Sequence, residues 1–337
     1  MYRSPLQILV FLTILLADAL SVGRCLGQQE SDVLYHENLR LRVGIDRSKG
    51  GAITFLGTLA HRQNMVNVAD PGRLIQQSYY AGKVLDRSAD GQHPSWSPWA
   101  WNPIQGGGVG KPKTSSAGSQ LKSSKGSWAG VLEFQKKNGV LYSESIPKLW
   151  DMPNEDASAR MRQWTQFEEG FDNVVVVRCE FTATRTKDDR WGPALVRSQE
   201  VPACYFTREY DDVMSYTGNG NWHPETKGFG KPWNKVEPPR KTVGLFDSDG
   251  HGIALFSPSS DAPWNFGPHG PAIESGPNDG PCMHVAAISR VALGPRSRLV
   301  YRYWLIVGDR QEIADSVDRL WERYKKEQLS LTTPKDS

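Results

Sequence analysis

Apolar residues at every second position recur in several short segments, and this spacing restricts the fold more than any other feature of the sequence. In residues 174–181, valine, cysteine and phenylalanine occupy the odd positions, and Arg178 and Glu180 stand between them. Residues 299–307 repeat the pattern, and residues 39–45 and 52–56 flank a short turn. A period of two is that of a strand whose two faces meet different environments. The chain is therefore predicted to form antiparallel sheets.

Composition and one helical segment complete the fold prediction. The chain has 337 residues, among them 12 Trp, 32 Gly and 22 Pro, which favours a β-rich protein over a helical bundle. Near the carboxyl end, Asp309 can cap a helix with Glu312 three residues on, and apolar residues from Ile313 to Tyr324 fall on one stripe. We predict an all-β fold, a large antiparallel β-sandwich with a C-terminal amphipathic helix over residues 309–328.

The first residues have the pattern of an export signal, in which Arg3 precedes an apolar stretch and small residues follow. We expect a signal peptide over 1–27 and a single domain over 28–337. No later apolar run reaches the length of about 18 residues that a membrane span needs. The mature protein is therefore expected to be secreted or periplasmic, without a membrane partner after cleavage. Cleavage would remove Cys25 and leave three cysteines, which allow at most one disulfide.

Charge and motif spacing exclude several classes of function. The net charge is +3 and the basic residues are scattered among nearly as many acids, so no nucleic-acid partner is expected. The glycine run at 106–110 lacks the spacing of a phosphate loop, and Pro112 stands where a magnesium-binding hydroxyl belongs. Residues 247–250 start like a calcium loop but lack its distal glutamate, and no histidine pair has zinc spacing. We therefore predict no metal and no cofactor.

Residues 64–80 alternate polar and apolar side chains in an unusual way, because both faces of the implied strand carry hydrogen-bonding groups. A buried guanidinium or amide must find a partner, so such a strand usually lies at an edge or lines a site. The predicted ligand-binding residues of this stretch are Arg73, Gln76, Gln77 and Tyr79. Alternatively, Arg73 forms an ion pair with Asp70 that only holds a turn.

A tryptophan cluster at 96–105 ends in amides and predicts a sugar site. Indole faces stack on the apolar face of a sugar ring, and amides bond its hydroxyls. We therefore assign Trp101, Asn102 and Gln105 to substrate binding, and with them Trp222, from an aromatic loop at 216–239. The alternative is that these tryptophans fill a core or the base of a loop.

Several stretches together resemble secreted bacterial proteins of the galactose-mutarotase-like group. They are Gly50-Gly51-Ala52-Ile53, the run from Gly72-Arg73 to Tyr79-Tyr80, Trp101-Asn102-Pro103-Ile104-Gln105 and Gln199-Glu200-Val201-Pro202-Ala203. The resemblance spans most of the chain from about Leu39 to the terminal helix. It implies a β-supersandwich and a sugar or glycan ligand, in a group that includes epimerases, polysaccharide lyase and glycosidase domains, and non-catalytic carbohydrate binders.

The candidates for proton transfer are Glu200, within the resemblance, and His223, beside Trp222 in the aromatic loop. His284, Glu168 and Glu169 are weaker candidates, although Glu168 and Glu169 are expected to form a solvated turn. The sequence thus predicts an exported carbohydrate-processing protein of lyase, epimerase or hydrolase type. The alternative is a non-catalytic carbohydrate-binding or structural β-sandwich protein.

Overall fold

Two large antiparallel sheets carry most of the chain. The computed structural model describes residues 31–61, 63–68, 72–87, 89, 99–106, 129–150, 152–228, 234–269 and 282–333. The strands are β1 Val33–Glu37, β2 Leu41–Asp46, β3 Ala52–Thr58, β4 Gln76–Ser78, β5 Ala81–Val84, β6 Trp99–Trp101, β7 Pro103–Ile104, β8 Gly130–Lys137, β9 Val140–Ile146, β10 Lys148–Leu149, β11 Met152–Asp156, β12 Ala159–Phe167, β13 Val174–Ala183, β14 Val196–Phe206, β15 Asp212–Gly218, β16 Asn221–Pro224, β17 Asn234–Val236, β18 Thr242–Phe246, β19 His251–Phe256, β20 Ala262–His269, β21 Cys282–Ala292, β22 Arg298–Asp309 and β23 Ser330–Thr332. A short 3-10 helix, Arg47–Lys49, precedes β3, and one α-helix, α1 Arg310–Tyr324, follows β22.

The eight-stranded sheet has the order β11-β10-β7-β4-β14-β21-β20-β17. The ten-stranded sheet has the order β16-β15-β18-β19-β22-β13-β12-β9-β8, with β23 paired to β22. Strands β1 to β3 form a small sheet of their own, and β5 pairs with β6. Residues Val33–Ser337 make up one compact unit. The predicted all-β fold is confirmed, as is the hairpin that became β2 and β3.

The main core lies between the two large sheets. Tyr79, next to β4, packs its ring 4.6 Å from that of Phe181 on β13. The Tyr79 hydroxyl lies 3.3 Å from the hydroxyl of Tyr301 on β22. All three side chains are buried in one apolar cluster. The sheets therefore face each other as a sandwich, and each has one inner face and one outer face.

Helix α1 packs on the outer face of the ten-stranded sheet. Its Ile313 and Val317 share a buried cluster with Trp304 and Ile306 of β22. Asp309 caps the helix, accepting hydrogen bonds from the backbone of residues 311 and 312, and the Glu312 side chain returns a bond to Asp309. The predicted capping box is thus confirmed, and the helix ends at Tyr324, four residues before the predicted end.

Glu168 corrects the prediction of a solvated turn. Its carboxylate is buried and accepts hydrogen bonds from Trp304 Nε1 at 2.8 Å and from the Tyr324 hydroxyl at 2.6 Å. Trp304 belongs to β22 and Tyr324 to helix α1. The carboxylate therefore joins the helix to the sheet.

The three remaining cysteines, Cys179, Cys204 and Cys282, are buried, and no disulfide joins any two of them. The one disulfide that their number would allow is absent among these described residues. Burial raises the pKa of the Cys179 thiol to about 12, so this side chain is a neutral core residue and not a nucleophile.

The predicted signal peptide at 1–27 and the glycine loop after residue 106 lie outside the described residues. Within the part of the chain that the structure describes, no helix has the length and apolar character needed to span a bilayer. In the same part of the chain, no group of three or more histidine, cysteine or acidic side chains is arranged to hold a metal ion.

Glu180 on β13 should make stability depend on pH. Its carboxylate contacts Arg298 at 2.7 Å, Arg162 at 3.1 Å and Arg178 at 3.2 Å. Hydrogen bonding from Arg298 lowers the pKa of Glu180 below its ordinary value of 4.5. The stabilisation is therefore fully present above that value and is lost as pH falls through the folded-state pKa.

We expect Glu180→Gln to lower the free energy of unfolding near neutral pH by about 1–2 kcal/mol, because the guanidiniums are partly solvated. Urea unfolding of both proteins near neutrality and below about pH 4 measures this. The difference should shrink in acid. An equal difference at both pH values would show that the charge of Glu180 is not what stabilises the sheet.

Candidate functional site

A bulge in β14 determines which side chains reach the outer face of the eight-stranded sheet. Glu200 pairs with Ile288 of β21 and Ala203 pairs with Ala286, so three steps along β14 match two steps along its partner. The same irregularity occurs against β4, where Glu200 pairs with Ser78 and Ala203 with Gln76. One extra residue reverses the alternation of faces. Glu200 and Tyr205, an odd number of positions apart, therefore point to the same side.

Glu200 lies against a histidine from the neighbouring strand. Its Oε1 atom is 3.4 Å from Nε2 of His284 on β21. His284 pairs with Tyr205 across the strands, and their rings lie 4.4 Å apart at 38°. Glu200 is 6% exposed and His284 is fully buried. This places a carboxylate and an imidazole together in surroundings with little water.

Two tyrosines flank this pair. Burial, followed by the negative charge of Glu200, raises the pKa of both Tyr80 and Tyr205 above the ordinary value. Both phenols therefore stay protonated near neutral pH and can donate hydrogen bonds. The Gln199 side chain fixes the position of Tyr80 by bonding its backbone N–H at 2.8 Å and its carbonyl at 2.6 Å.

Arg73 joins the same group from the segment before β4. Its Nε atom lies 3.4 Å from Nε2 of His269, the last residue of β20. The ring of His269 lies 5.9 Å from that of Tyr205. Asn67 donates to the Arg73 carbonyl at 2.9 Å, and its own backbone N–H bonds the Tyr205 carbonyl at 3.0 Å. The segment that carries Arg73 is thereby tied to β14.

We call these six residues the Glu200 cluster: Arg73, Tyr80, Glu200, Tyr205, His269 and His284. Tyr205 also belongs to a small apolar cluster separate from the main core, with Ala203 and Cys282. Tyr80 and His269 are half-buried, whereas Arg73 is 5% exposed. The cluster therefore lies on the outer face of the eight-stranded sheet, with its polar atoms mostly withdrawn from solvent and two rings at the surface.

The structure brings Arg73 and Glu200 together, as a shared site requires, but it separates most of the other predicted residues from them. Gln77 and Tyr79 lie on the inner face of the sheet. The Gln77 amide donates to the Arg162 carbonyl at 3.0 Å, and its Oε1 accepts from the Tyr79 hydroxyl at 3.0 Å. Both side chains have no exposed surface. The prediction that they bind a ligand is therefore corrected: they satisfy each other inside the sandwich.

Trp101 is also a core residue. It has no exposed surface, its ring lies 5.6 Å from that of Phe181, and the Arg185 guanidinium stands 4.7 Å from the ring centroid. Its indole N–H donates to the Ala157 carbonyl. Since no part of the indole reaches solvent, a stacking role on a sugar does not fit this position. The burial of Trp101 fits the alternative prediction, that this tryptophan fills a core.

The predicted amides near Trp101 hold the backbone. Asn102 accepts a hydrogen bond from the Trp150 N–H at 3.1 Å, and Gln105 accepts one from the Gln77 N–H at 3.1 Å. Gln76 bridges two loops, donating to the Gly72 carbonyl at 2.5 Å and accepting from the Gly106 N–H at 2.8 Å. All three amides are buried. The substrate-binding roles predicted for them are replaced by structural ones.

Trp222 and His223 lie on β16, at the edge of the other large sheet. The Trp222 ring packs 4.8 Å from Tyr216 and 5.1 Å from Phe246, and its N–H donates to the Arg310 carbonyl at the start of helix α1. His223 is exposed. Strand β16 belongs to the other sheet, and Glu200 lies against His284 on the outer face of its own sheet. The structure therefore does not bring His223 and Glu200 together as predicted.

Sequence reasoning missed Tyr80, Tyr205 and His269 and ranked His284 too low. A usable signal existed for His284, a polar residue between Met283 and Val285 in an apolar run. Tyr80 lies in the stretch already selected, on the face opposite Tyr79. His269 stands among glycines and prolines, where no strand pattern marks it.

No family model and no curated protein matches the sequence. A 4-alpha-glucanotransferase from Thermococcus litoralis is 9% identical at a TM-score of 0.43, over 84% of this chain and 38% of that chain. A TPR-domain containing protein from Parabacteroides distasonis is 12% identical at a TM-score of 0.45, over 81% and 46%. The heparan sulfate lyase HepC from Pedobacter heparinus is 8% identical at a TM-score of 0.39, over 80% and 33%.

By their names, two of these three proteins process carbohydrates. The chain spans less than half the length of each of the three. With TM-scores below 0.5 and identities of 8–12%, these likenesses assign no function to this chain.

The Glu200 cluster can move a proton. A carboxylate beside an imidazole provides a base and an acid, and neutral phenols with a guanidinium can stabilise an oxygen that gains negative charge. Low exposure strengthens each of these electrostatic interactions.

Proposed function

We propose that the protein acts on a sugar or glycan at the Glu200 cluster by transferring protons between the substrate and the Glu200–His284 pair. The observation that carries the proposal is the 3.4 Å approach of Glu200 Oε1 to His284 Nε2 among two protonated phenols. The assignment of a sugar as the substrate rests on the resemblance to the galactose-mutarotase-like group. Arg73 and Glu200 both lie in the stretches of this chain that carry that resemblance. Export to the periplasm or the medium is part of the same proposal.

Within this proposal, proton transfer at a sugar carbon or ring oxygen fits better than hydrolysis. Glycoside hydrolysis ordinarily uses two carboxyl groups on either side of the scissile bond. The six residues of the Glu200 cluster include one carboxylate. Ring opening, epimerisation and elimination beside a uronate each need one base, one acid and a group that stabilises negative oxygen. Arg73 would bond the substrate oxygen or carboxylate that becomes more negative.

The test is a screen of the mature protein on polysaccharides and simple sugars with three readouts. These are absorbance of unsaturated uronates, new reducing ends, and exchange of anomers or of carbon-bound hydrogen for deuterium followed by NMR. Unsaturation or exchange would support the proposal. New reducing ends without unsaturation would contradict it in favour of hydrolysis. Binding without any turnover would contradict it in favour of a carbohydrate-binding protein.

Arg73→Gln should weaken binding of the substrate that the screen identifies. A hydrogen bond to a charged group contributes about 1.5–3 kcal/mol, so we expect affinity to fall about ten- to hundredfold. Isothermal titration calorimetry measures the change. Arg162→Gln is the matched control, since Arg162 lies on the ten-stranded sheet with its ion pairs to Glu144 and Glu180. Equal losses in both variants would remove Arg73 from the binding site.

A further inference from the structure

The outer face of the ten-stranded sheet is covered by helix α1 over only part of its width. The strand pairing sets Gln135, Tyr142, Trp164, Arg178 and Arg302 side by side across five strands from β8 to β22. At the β22 end of this row, Arg302 contacts Tyr324 at the end of the helix. Neighbouring strands are about 4.8 Å apart, so this row is roughly 19 Å long. It lies on the opposite side of the sandwich from the Glu200 cluster.

At the β8–β9 end of the row is a concave space that we call the Tyr142 groove. This groove is open to solvent and has a volume of about 420 Å³, and its lining includes Glu133, Gln135, Lys137, Asn138, Tyr142 and Trp164. Small-molecule sites usually have volumes of about 300–1,000 Å³. The groove therefore has room for one or two sugar rings.

Two aromatic side chains form one wall and are held in place by their neighbours. The Tyr142 and Trp164 rings lie 5.1 Å apart at 41°, and the Arg178 guanidinium stands 4.3 Å from the Trp164 centroid. The Tyr142 hydroxyl bonds Glu144 Oε2 at 3.1 Å. Both aromatic residues remain partly exposed. A preformed aromatic wall of this kind offers an apolar surface to a ligand, and its side chains lose little conformational freedom on binding.

The charges near the wall are already balanced. Glu144 lies 2.9 Å from Arg162 and 3.3 Å from Arg160. In the lining itself, Glu133 and Lys137 carry opposite charges, and Gln135 and Asn138 contribute amides. An anionic ligand would meet the Glu133 carboxylate in the lining, and the nearby Arg160 and Arg162 are already paired with Glu144. A neutral molecule rich in hydroxyls would find an apolar wall and both donors and acceptors.

We propose that the Tyr142 groove is a second, non-catalytic binding site for a neutral oligosaccharide, with Tyr142 as the stacking platform. The site would hold a long chain at a distance from the Glu200 cluster. The proposal does not rest on the function proposed for that cluster, because binding at the groove is measured without turnover.

The test is calorimetric titration of the mature protein with cellohexaose and maltohexaose as neutral probes and with a galacturonate hexasaccharide as the acidic probe. We expect at least one neutral probe to bind, and Tyr142→Ala to weaken that binding about tenfold through the lost ring contact. Tyr142→Phe keeps the ring and should keep the affinity within about threefold. Tyr35→Ala, which removes an exposed tyrosine ring from β1, should leave the affinity unchanged.

Three results would overturn this proposal: no binding of either neutral probe, binding of the acidic probe alone, or equal affinity of wild type and Tyr142→Ala. A fourth measurement separates the two sites. Tyr142→Ala should leave turnover of a small substrate by the Glu200 cluster unchanged. If small-substrate turnover fell together with neutral-probe binding, the groove would not be an independent site and the proposal would fail.

Discussion

Glu200→Gln should lower turnover by at least about a hundredfold while leaving substrate affinity within about threefold of wild type. The amide keeps the size of the side chain and can still contact His284, but it cannot take a proton. Glu200 is buried next to that imidazole, so bulk water cannot replace it as the proton acceptor. Turnover and KM of the variant, measured on the substrate that the screen identifies, check this expectation.

Two further variants make the Glu200 result specific. Glu225→Gln changes a half-buried carboxylate that follows β16 and accepts a hydrogen bond from Ser215, and it should keep wild-type turnover. His284→Gln should lose as much turnover as Glu200→Gln, and the double variant should lose little more, because groups that act as a unit are not additive. Wild-type turnover in Glu200→Gln, with a normal melting temperature, would remove this residue from catalysis.

Trp304→Ala should lower the free energy of unfolding by about 3–5 kcal/mol, the usual cost of deleting a fully buried large aromatic side chain. The Trp304 ring lies 4.7 Å from that of Tyr324 on helix α1 and 5.4 Å from that of Phe256 on β19. Its N–H donates to the buried carboxylate of Glu168. The substitution therefore opens a cavity and removes a hydrogen bond where the helix meets the sheet. Urea unfolding followed by circular dichroism measures the loss.

Trp164→Ala is the matched control because Trp164 lies on the same outer face but outside the part that the helix covers. Its side chain is partly exposed, so we expect a loss below about 1.5 kcal/mol. If both substitutions cost the same, docking of helix α1 would not be a main source of stability in this sheet.

The strands and the helix could be predicted because their signals are local. Alternation in residues 174–181 and 299–307 reports one buried and one wetter face without knowledge of the partner strand. The pairing of Asp309 with Glu312 is likewise complete within a few residues. These signals fixed the class of fold and both ends of the helix to within four residues.

The composition of the site was harder to predict because it depends on distant pairing. Glu200, His284 and Arg73 come from separate segments that meet only when β14 lies beside β21 and β4. Residue type alone could not show that Gln77 faces the core and Tyr80 faces the site. A polar side chain that bonds the core backbone looks the same in sequence as one that faces a ligand. Trp101 was wrongly assigned to substrate binding for a related reason, because tryptophan side chains occur both in cores and in binding sites.

The extra residue in β14 has a consequence for how this chain should be compared with relatives. If Pro202 were deleted, Glu200 and Ala203 would lie two positions apart and would match Ile288 and Ala286 in regular pairing, so Glu200 would stay on the outer face. The bulge therefore changes the spacing of the site along the chain and not the side to which the carboxylate points. Glu200 and Tyr205 are five positions apart in this chain, and in a chain without the bulge the equivalent residues would be four apart. A survey of homologues should consequently accept a one-residue alignment gap at this point as compatible with the same site.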